Sequence, residues 1–258
     1  MLRPRIIPCL LVKNKGLVKT VQFKDGKYVG DPINAVRIFN EKESDELMVI
    51  DIDATTNAKE PDYKMIENLA SECRMPLCYG GGIKNIEQAQ KIFSLGVEKI
   101  AISSAAVYNS SLVSEIASKV GSQSVVIVLD VKKKVFGGYE LYTHNGKKST
   151  GLSPAEFALN MEKEGAGEIV LNSIDNDGMM KGYDLDLIDR IRKEISLPLT
   201  VLGGAGDLEH IGKLIQKYGI IGAAAGSLFV FKGKYKAVLI NYPNWDEKDG
   251  LINQYFKL

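Results

Sequence analysis

Cysteine, histidine and tryptophan are scarce in this chain: three, two and one among 258 residues. Three cysteines cannot build a disulfide scaffold, and Cys9 and Cys78 sit in apolar runs where a free thiol behaves as a small hydrophobe. A reducing, cytoplasmic setting is expected. Neither His144 nor His210 has a cysteine, a second histidine or a carboxylate at ligand spacing, so no metal site is expected. Long apolar runs are missing too. Nothing approaches the roughly 18 residues of a membrane span. Arg3-Pro4-Arg5 followed by Ile6 to Val12 has the outline of a short signal sequence, but Pro8 interrupts it, Lys13 follows and no small-residue cleavage site comes after. It reads as a first buried strand. Charge of one sign is also lacking. Lys and Arg number 33 against 32 Asp and Glu, a balance with no polyanion-binding signature, so neither nucleic acid nor a membrane is expected as a partner. No nucleophile elbow, Walker loop or dinucleotide fingerprint is present, and no cofactor is expected.

What the chain does contain, it contains twice, about 120 residues apart. The first copy runs Glu46 to Asp53 (ELMVIDID), Pro76 to Ile83 (PLCYGGGI) and Lys99 to Ala106 (KIAISSAA). The second runs Glu168 to Asp175 (EIVLNSID), Pro198 to Gly206 (PLTVLGGAG) and Ile221 to Leu228 (IGAAAGSL). Each is strand, acid, strand, glycine turn, strand, small-residue turn. Nearly continuous aliphatic runs, as expected of parallel strands buried on both faces, place strands near 5–12, 46–52, 76–79, 98–102, 124–130, 168–172, 199–203 and 221–225. Amphipathic segments between them predict helices over 32–42, 61–72, 85–94, 110–119, 153–164, 184–193 and 208–217, with a short one near 228–234. Eight strands alternating with helices give the α/β class and a single (β/α)8 TIM barrel, which needs about 250 residues. The domain is expected to span 1–258, with half-barrels of approximately 1–120 and 121–240 and a C-terminal extension over 241–258. Two long connections, 13–30 and 131–150, leave C-terminal strand ends, where barrel loops act as lids or clamps.

The glycine turns carry the first functional expectation. Gly81 and Gly82 follow strand 3, and Gly203 and Gly204 follow strand 7. Without a Cβ in the way, backbone N–H groups there can approach an anion. Ser103 and Ser104 after strand 4, and Gly226 and Ser227 after strand 8, would add hydroxyls and short helix starts. Two such corners on one rim suggest a substrate with a phosphate at each end. Carboxylates carry the second. Asp51 and Asp53 end strand 2, Asp130 ends strand 5, and Asp175 and Asp177 follow strand 6. Asp130 caps the most apolar strand, where a carboxylate is costly unless it works or is well paired. Asp51 and Asp177 fit equally well as acid–base groups or as turn and cap residues. Tyr79 and Phe23 read as packing or rim residues.

These residues resemble the HisF family, the cyclase subunit of imidazole glycerol phosphate synthase, along essentially the whole chain. The resemblance is carried by Arg5 to Leu10 (RIIPCL), Lys19, Gly30-Asp31-Pro32, Asp45-Glu46-Leu47, Gly80 to Ile83, Gly121 to Val125, Gly165 to Glu168, Ser173 to Gly178 and Gly203 to Gly206. The related isomerase HisA fits these stretches less well. The resemblance implies a HisH-type glutaminase docked on the N-terminal barrel face. Its ammonia crosses the barrel to a bis-phosphate ribulosyl substrate (PRFAR), giving imidazole glycerol phosphate and an aminoimidazole ribotide (AICAR). It implies Lys19, with the two corners, as substrate contacts, and an ammonia gate made of Arg5, Glu46, Lys99 and Glu168. It also implies two catalytic aspartates, at the ends of strands 1 and 5. Asp130 matches the second, but the first position holds Leu11, which cannot move a proton. Ser103-Ser104 stands where the family shows Asn-Thr, and Tyr79 is bulkier than the usual residue near the upper channel. An intact gate beside a half-dismantled catalyst is similar to a side branch of HisF-like proteins associated with surface-polysaccharide (O-antigen) genes. There the ammonia is passed to a sugar amidotransferase acting on an amino sugar. Kept beside this expectation are an ordinary histidine-pathway cyclase, with Asp53, Asp51 or Asp177 replacing the missing acid, and a scaffold subunit without chemistry.

Overall fold

The computed structural model describes residues 3–256. Eight strands run parallel and close on themselves: β1 Arg5–Lys13, β2 Leu47–Asp51, β3 Leu77–Gly80, β4 Lys99–Ile102, β5 Val125–Lys133, β6 Glu168–Ser173, β7 Leu199–Leu202 and β8 Gly222–Ala225. Each pairs with its sequence neighbour, and β8 pairs with β1 from Arg5↔Gly222 to Pro8↔Ala225. The result is a (β/α)8 TIM barrel. Around it lie α1 Pro32–Glu41, α2 Tyr63–Glu72, α3 Ile86–Ser94, α4 Ser104–Tyr108, α5 Ser111–Val120, α6 Pro154–Lys163, α7 Leu185–Arg192, α8 Leu208–Tyr218, α9 Ser227–Val230 and α10 Trp245–Tyr255. No helix among the described residues is long and apolar enough to cross a membrane.

The helices start where the sequence provides a cap. Asp31, Asp62, Asn85, Ser153, Asp184, Asp207 and Asn244 each accept a hydrogen bond from the backbone N–H three residues on. Each such cap stabilises its helix by about 1 kcal/mol. Helices and strands share one large apolar layer outside the barrel, and a smaller cluster fills the inside. The inner cluster holds Ile7, Cys9, Met48, Cys78, Ala101, Val126, Val170, Leu202 and Ala224. Alternation along each strand therefore turns Arg5, Ile7, Cys9 and Leu11 toward the axis, while Ile6 and Leu10 meet the helices.

The structure corrects several expectations. Residues 13–30 are a twisted antiparallel hairpin, Gly16–Val21 against Lys24–Gly30, rather than a loop. Strand β5 runs past Asp130 to Lys133 and turns back through Tyr139–Thr143, with Asp130 opposite Tyr142. Asp130 thus sits where the strand leaves the barrel, not at its last residue. The segment after Val230 forms a second small hairpin, Phe231–Lys232 against Ala237–Val238, instead of continuing as helix to 234. The polar C-terminal stretch contains α10, whose capping box joins Asn244 and Glu247. Tyr79 lies in the outer layer against the helices, while Cys78 faces the axis, so Tyr79 does not narrow the barrel interior. The two small-residue turns correspond with a shift of one residue: α4 starts at Ser104 and α9 at Ser227.

Candidate functional site

At the N-terminal mouth four side chains close a ring of alternating charge. Arg5 bridges Glu46 and, at 2.6 Å, Glu168. Lys99 answers from the other side, 2.9 Å from Glu46 and 3.0 Å from Glu168. The inward positions at the feet of β1, β4 and β6, with Glu46 just before β2, bring the four together. Thr200 donates its hydroxyl to Glu168, and the neighbouring Gly222 leaves room, since a Cβ there would fall 1.9 Å from Thr200 Oγ1. Burial works against the charges of Arg5, Lys99 and Glu168, and the opposite charges outweigh it. Glu168 and Glu46 hold Arg5 and Lys99 above their ordinary values, and Arg5 and Lys99 hold Glu168 below its own. Above the ring the interior is apolar. Burial raises the Cys9 thiol to about 12 and Cys78 well above its usual value, so both are neutral.

At the opposite end the barrel opens into a cup. Its lining includes Leu11, Lys19, Asp51, Gly81, Gly82, Ser103, Ser104, Asp130, Asp177 and Gly226 among the expected residues. Burial pushes the Asp130 carboxyl up to about 7; the hydrogen bond from Asn172 Nδ2, at 2.9 Å, opposes this and the charge of Asp177 adds to it. A group poised there can give or take a proton near neutrality. Leu11, at the top of β1's inward row, adds only carbon. Asp51 is also raised by burial, but its Oδ1 caps the N–H groups of Asp53 and Ala54. Asp53 is occupied by the N–H of Asn14. Asp177 is buried and doubly held, by Lys19 Nζ at 2.7 Å and by Thr20 Oγ1 at 3.0 Å. Asp175 accepts the N–H of Lys133. Among the expected aspartates, only Asp130 contacts neither a backbone N–H nor a cation; Asp51 uses Oδ1 alone for its cap.

The two glycine corners differ. Gly81, at φ +122, lies so close to β2 that a Cβ would fall 2.4 Å from the Asp51 carbonyl oxygen. This corner and the start of α4 line the cup. On the other side Gly226 and Lys19 line it, but Gly203, Gly204 and Ser227 do not. The segment after β6 folds across that turn: Gly182 donates to the Gly204 carbonyl at 2.8 Å, and a Cβ on Gly204 would fall 2.0 Å from Gly182 O. Ser103 and Gly226, which precede α4 and α9, make no side-chain cap.

Several lining residues escaped the sequence: Thr20, Thr55, His144, Asn145 and Asn172. Asn172 was within reach, because inward residues on β6 follow Glu168 at every second position. His144 and Asn145 were not, because only the hairpin returning from β5 carries them over the cup. There Asn145 Nδ2 donates to the Ile52 carbonyl at 2.8 Å, and the His144 ring packs edge-on to Tyr108.

Residues 5–236 match the family model described as histidine biosynthesis protein. The chain is 59% identical over 249 residues to "Putative imidazole glycerol phosphate synthase subunit hisF3" of Vibrio vulnificus (strain YJ016), covering 96% of both chains. It is 59% identical over 253 residues to "Putative imidazole glycerol phosphate synthase subunit HisF" of Leptospira borgpetersenii, covering 98% of this chain and all of the relative. A third relative, "Putative imidazole glycerol phosphate synthase subunit hisF2" of Pseudomonas aeruginosa, is 53% identical over 96% of this chain and 99% of its own.

Proposed function

The chain belongs to the histidine biosynthesis protein family, among its HisF-type imidazole glycerol phosphate synthase subunits, and we propose that it is the barrel subunit of a glutamine amidotransferase complex. A HisH-type glutaminase seats on the charged mouth and releases ammonia there. Neutral ammonia passes the ring and the apolar interior, which holds back ammonium because an unpaired charge is costly to bury. It meets a phosphorylated substrate in the cup. The observation that carries this proposal is the placement of the closed Arg5–Glu46–Lys99–Glu168 ring and the Asp130 cup at opposite mouths of one barrel. Gly81, Gly82, Ser103 and Ser104 receive one phosphate. Lys19 and Gly226, on the opposite side of the cup, receive the other.

The histidine-pathway cyclisation is not its main reaction. Loss of one positioned acid or base typically costs about 10²–10⁴ in rate. Leu11 in the first position, and the backbone or cation contacts made by Asp51, Asp53 and Asp177, support this reading. The ammonia instead serves amidation of a surface-polysaccharide amino sugar, in the cytoplasm, through a separate sugar amidotransferase. The test is PRFAR turnover at saturating ammonium, with the unaltered protein beside Leu11→Asp. Turnover only in Leu11→Asp supports the proposal. Robust turnover in the unaltered protein overturns it in favour of a histidine-pathway cyclase, a second reading favoured by Asp130 being kept near neutrality.

A further inference from the structure

The near-zero net charge conceals one strongly basic patch. The hairpin after β1 carries Lys24, Lys27 and Tyr28, and the hairpin after α9 carries Lys232, Lys234, Tyr235 and Lys236. The two touch: Lys27 Nζ donates to the Lys236 carbonyl at 3.4 Å and lies 5.2 Å from the centre of the Phe231 ring. Asp25 is the one acid in these two strand pairs, and none occurs between Ser227 and Trp245. Beside the lysines the patch exposes apolar surface that the barrel does not use. Tyr235 is 91% exposed, Tyr28 65%, Leu239 49% and Val238 43%. Both hairpins rise from the C-terminal ends of neighbouring strands, β1 and β8, on the rim that bears the cup.

We propose that this patch is a peripheral docking surface for an anionic lipid bilayer, which sets the protein on the membrane with the cup's rim toward it. Lysine suits this role because its alkyl stem lies along an apolar layer while the ammonium reaches lipid phosphates. Tyrosine settles at headgroup depth, and Val238 and Leu239 add a shallow aliphatic contact. Two other anionic partners fit less well. A nucleic-acid surface would be expected to use arginine forks, and the patch has none; it would leave the aliphatic pair without a role. An acidic protein would meet a surface rich in lysine, a residue depleted from protein interfaces.

Sedimentation of the full chain with sucrose-loaded vesicles tests this. One set is pure phosphatidylcholine, and the other contains about one third phosphatidylglycerol. Binding is expected only to the anionic vesicles and should weaken as salt rises. Each lysine near such a surface adds attraction to lipid phosphates, so Lys232→Gln, Lys234→Gln, Lys236→Gln together should lower the partition coefficient roughly tenfold or more. Tyr235→Ser should lower it at unchanged charge. All four positions are exposed on a surface hairpin, so unchanged circular dichroism is expected. No binding to anionic vesicles at low salt, or equal binding by the triple variant, overturns the proposal. So does capture of single-stranded DNA by the patch with no binding to vesicles. None of these readouts depends on which reaction the cup performs.

Discussion

Asn172 donates its amide to Asp130 at 2.9 Å, while its own carbonyl oxygen, buried beside Gly203, has no hydrogen-bond partner among the described residues. The amide stabilises the ionised form of Asp130, yet burial still lifts that carboxyl to about 7. An acid whose pKa is raised in the folded state weakens the fold wherever it must ionise. Below about pH 4 both folded and unfolded forms are protonated and the penalty vanishes. Between about 4 and 7 the unfolded chain releases the proton and the folded one holds it, so stability falls as pH rises. Asp130→Asn is therefore expected to stabilise the protein by about 1–3 kcal/mol at pH 8 and by little at pH 4, read by urea denaturation at both. Asn172→Leu should move the Asp130 titration further upward, visible by carboxyl-carbon NMR. A downward movement would contradict the geometry.

The charged ring predicts asymmetry between its members. Glu168→Ala leaves Arg5 and Lys99 facing Glu46 alone and should cost about 3–5 kcal/mol, as breaking a buried pair does. Glu168 is held below its usual range, so its contribution is complete above about pH 4.5 and is lost as pH falls through its depressed folded value. The Glu168→Ala penalty should shrink in acid. As a gate, the ring makes a separate prediction in the Leu11→Asp background: Arg5→Ala should impair glutamine-driven turnover more than ammonium-driven turnover. Equal loss in both assays would leave the ring as structure only.

Lys19 and Asp177 are both buried and 2.7 Å apart. Removing one strands the other. Lys19→Met alone should destabilise by about 3–5 kcal/mol, whereas Lys19→Met with Asp177→Asn should recover part of that loss. If the two variants cost the same, the pair is not coupled and Lys19 is free to serve a ligand alone.

Tyr79 tests the assignment of faces. Its hydroxyl is buried in the helix-facing layer with no hydrogen-bond partner among the described residues. Tyr79→Phe should be neutral or stabilise by about 1 kcal/mol, and ligand binding in the cup should not change. A change in cup affinity would place the ring nearer the axis than the outer layer allows.

The aliphatic runs located every barrel strand to within a few residues, because a parallel strand buried on both faces needs them. The same continuity hid which face each residue occupies. Tyr79 and Cys78 are neighbours in one such run, and no polar alternation marks which of them looks inward. The rim hairpins were also hidden. Gly137-Gly138 and Asn145-Gly146 are dipeptides that favour turns, but strand pairing between Asp130 and Tyr142 is a long-range contact with no local mark.

The sequence by itself determined the alternation of strands and helices, the caps that start them, the placing of acids and glycines at strand ends, and the substitution at Leu11. Each is a local property, set by backbone preference or by residue identity. The resemblance grouped Arg5, Glu46, Lys99 and Glu168, but tertiary structure alone decided the pairing that closes them into a ring, that Asp177 is consumed by Lys19, and that a segment after β6 shields Gly203 and Gly204 from the cup. Barrel closure brings those groups together across 22 to 163 residues of chain, and at that range burial and Coulomb forces select partners that no local pattern names.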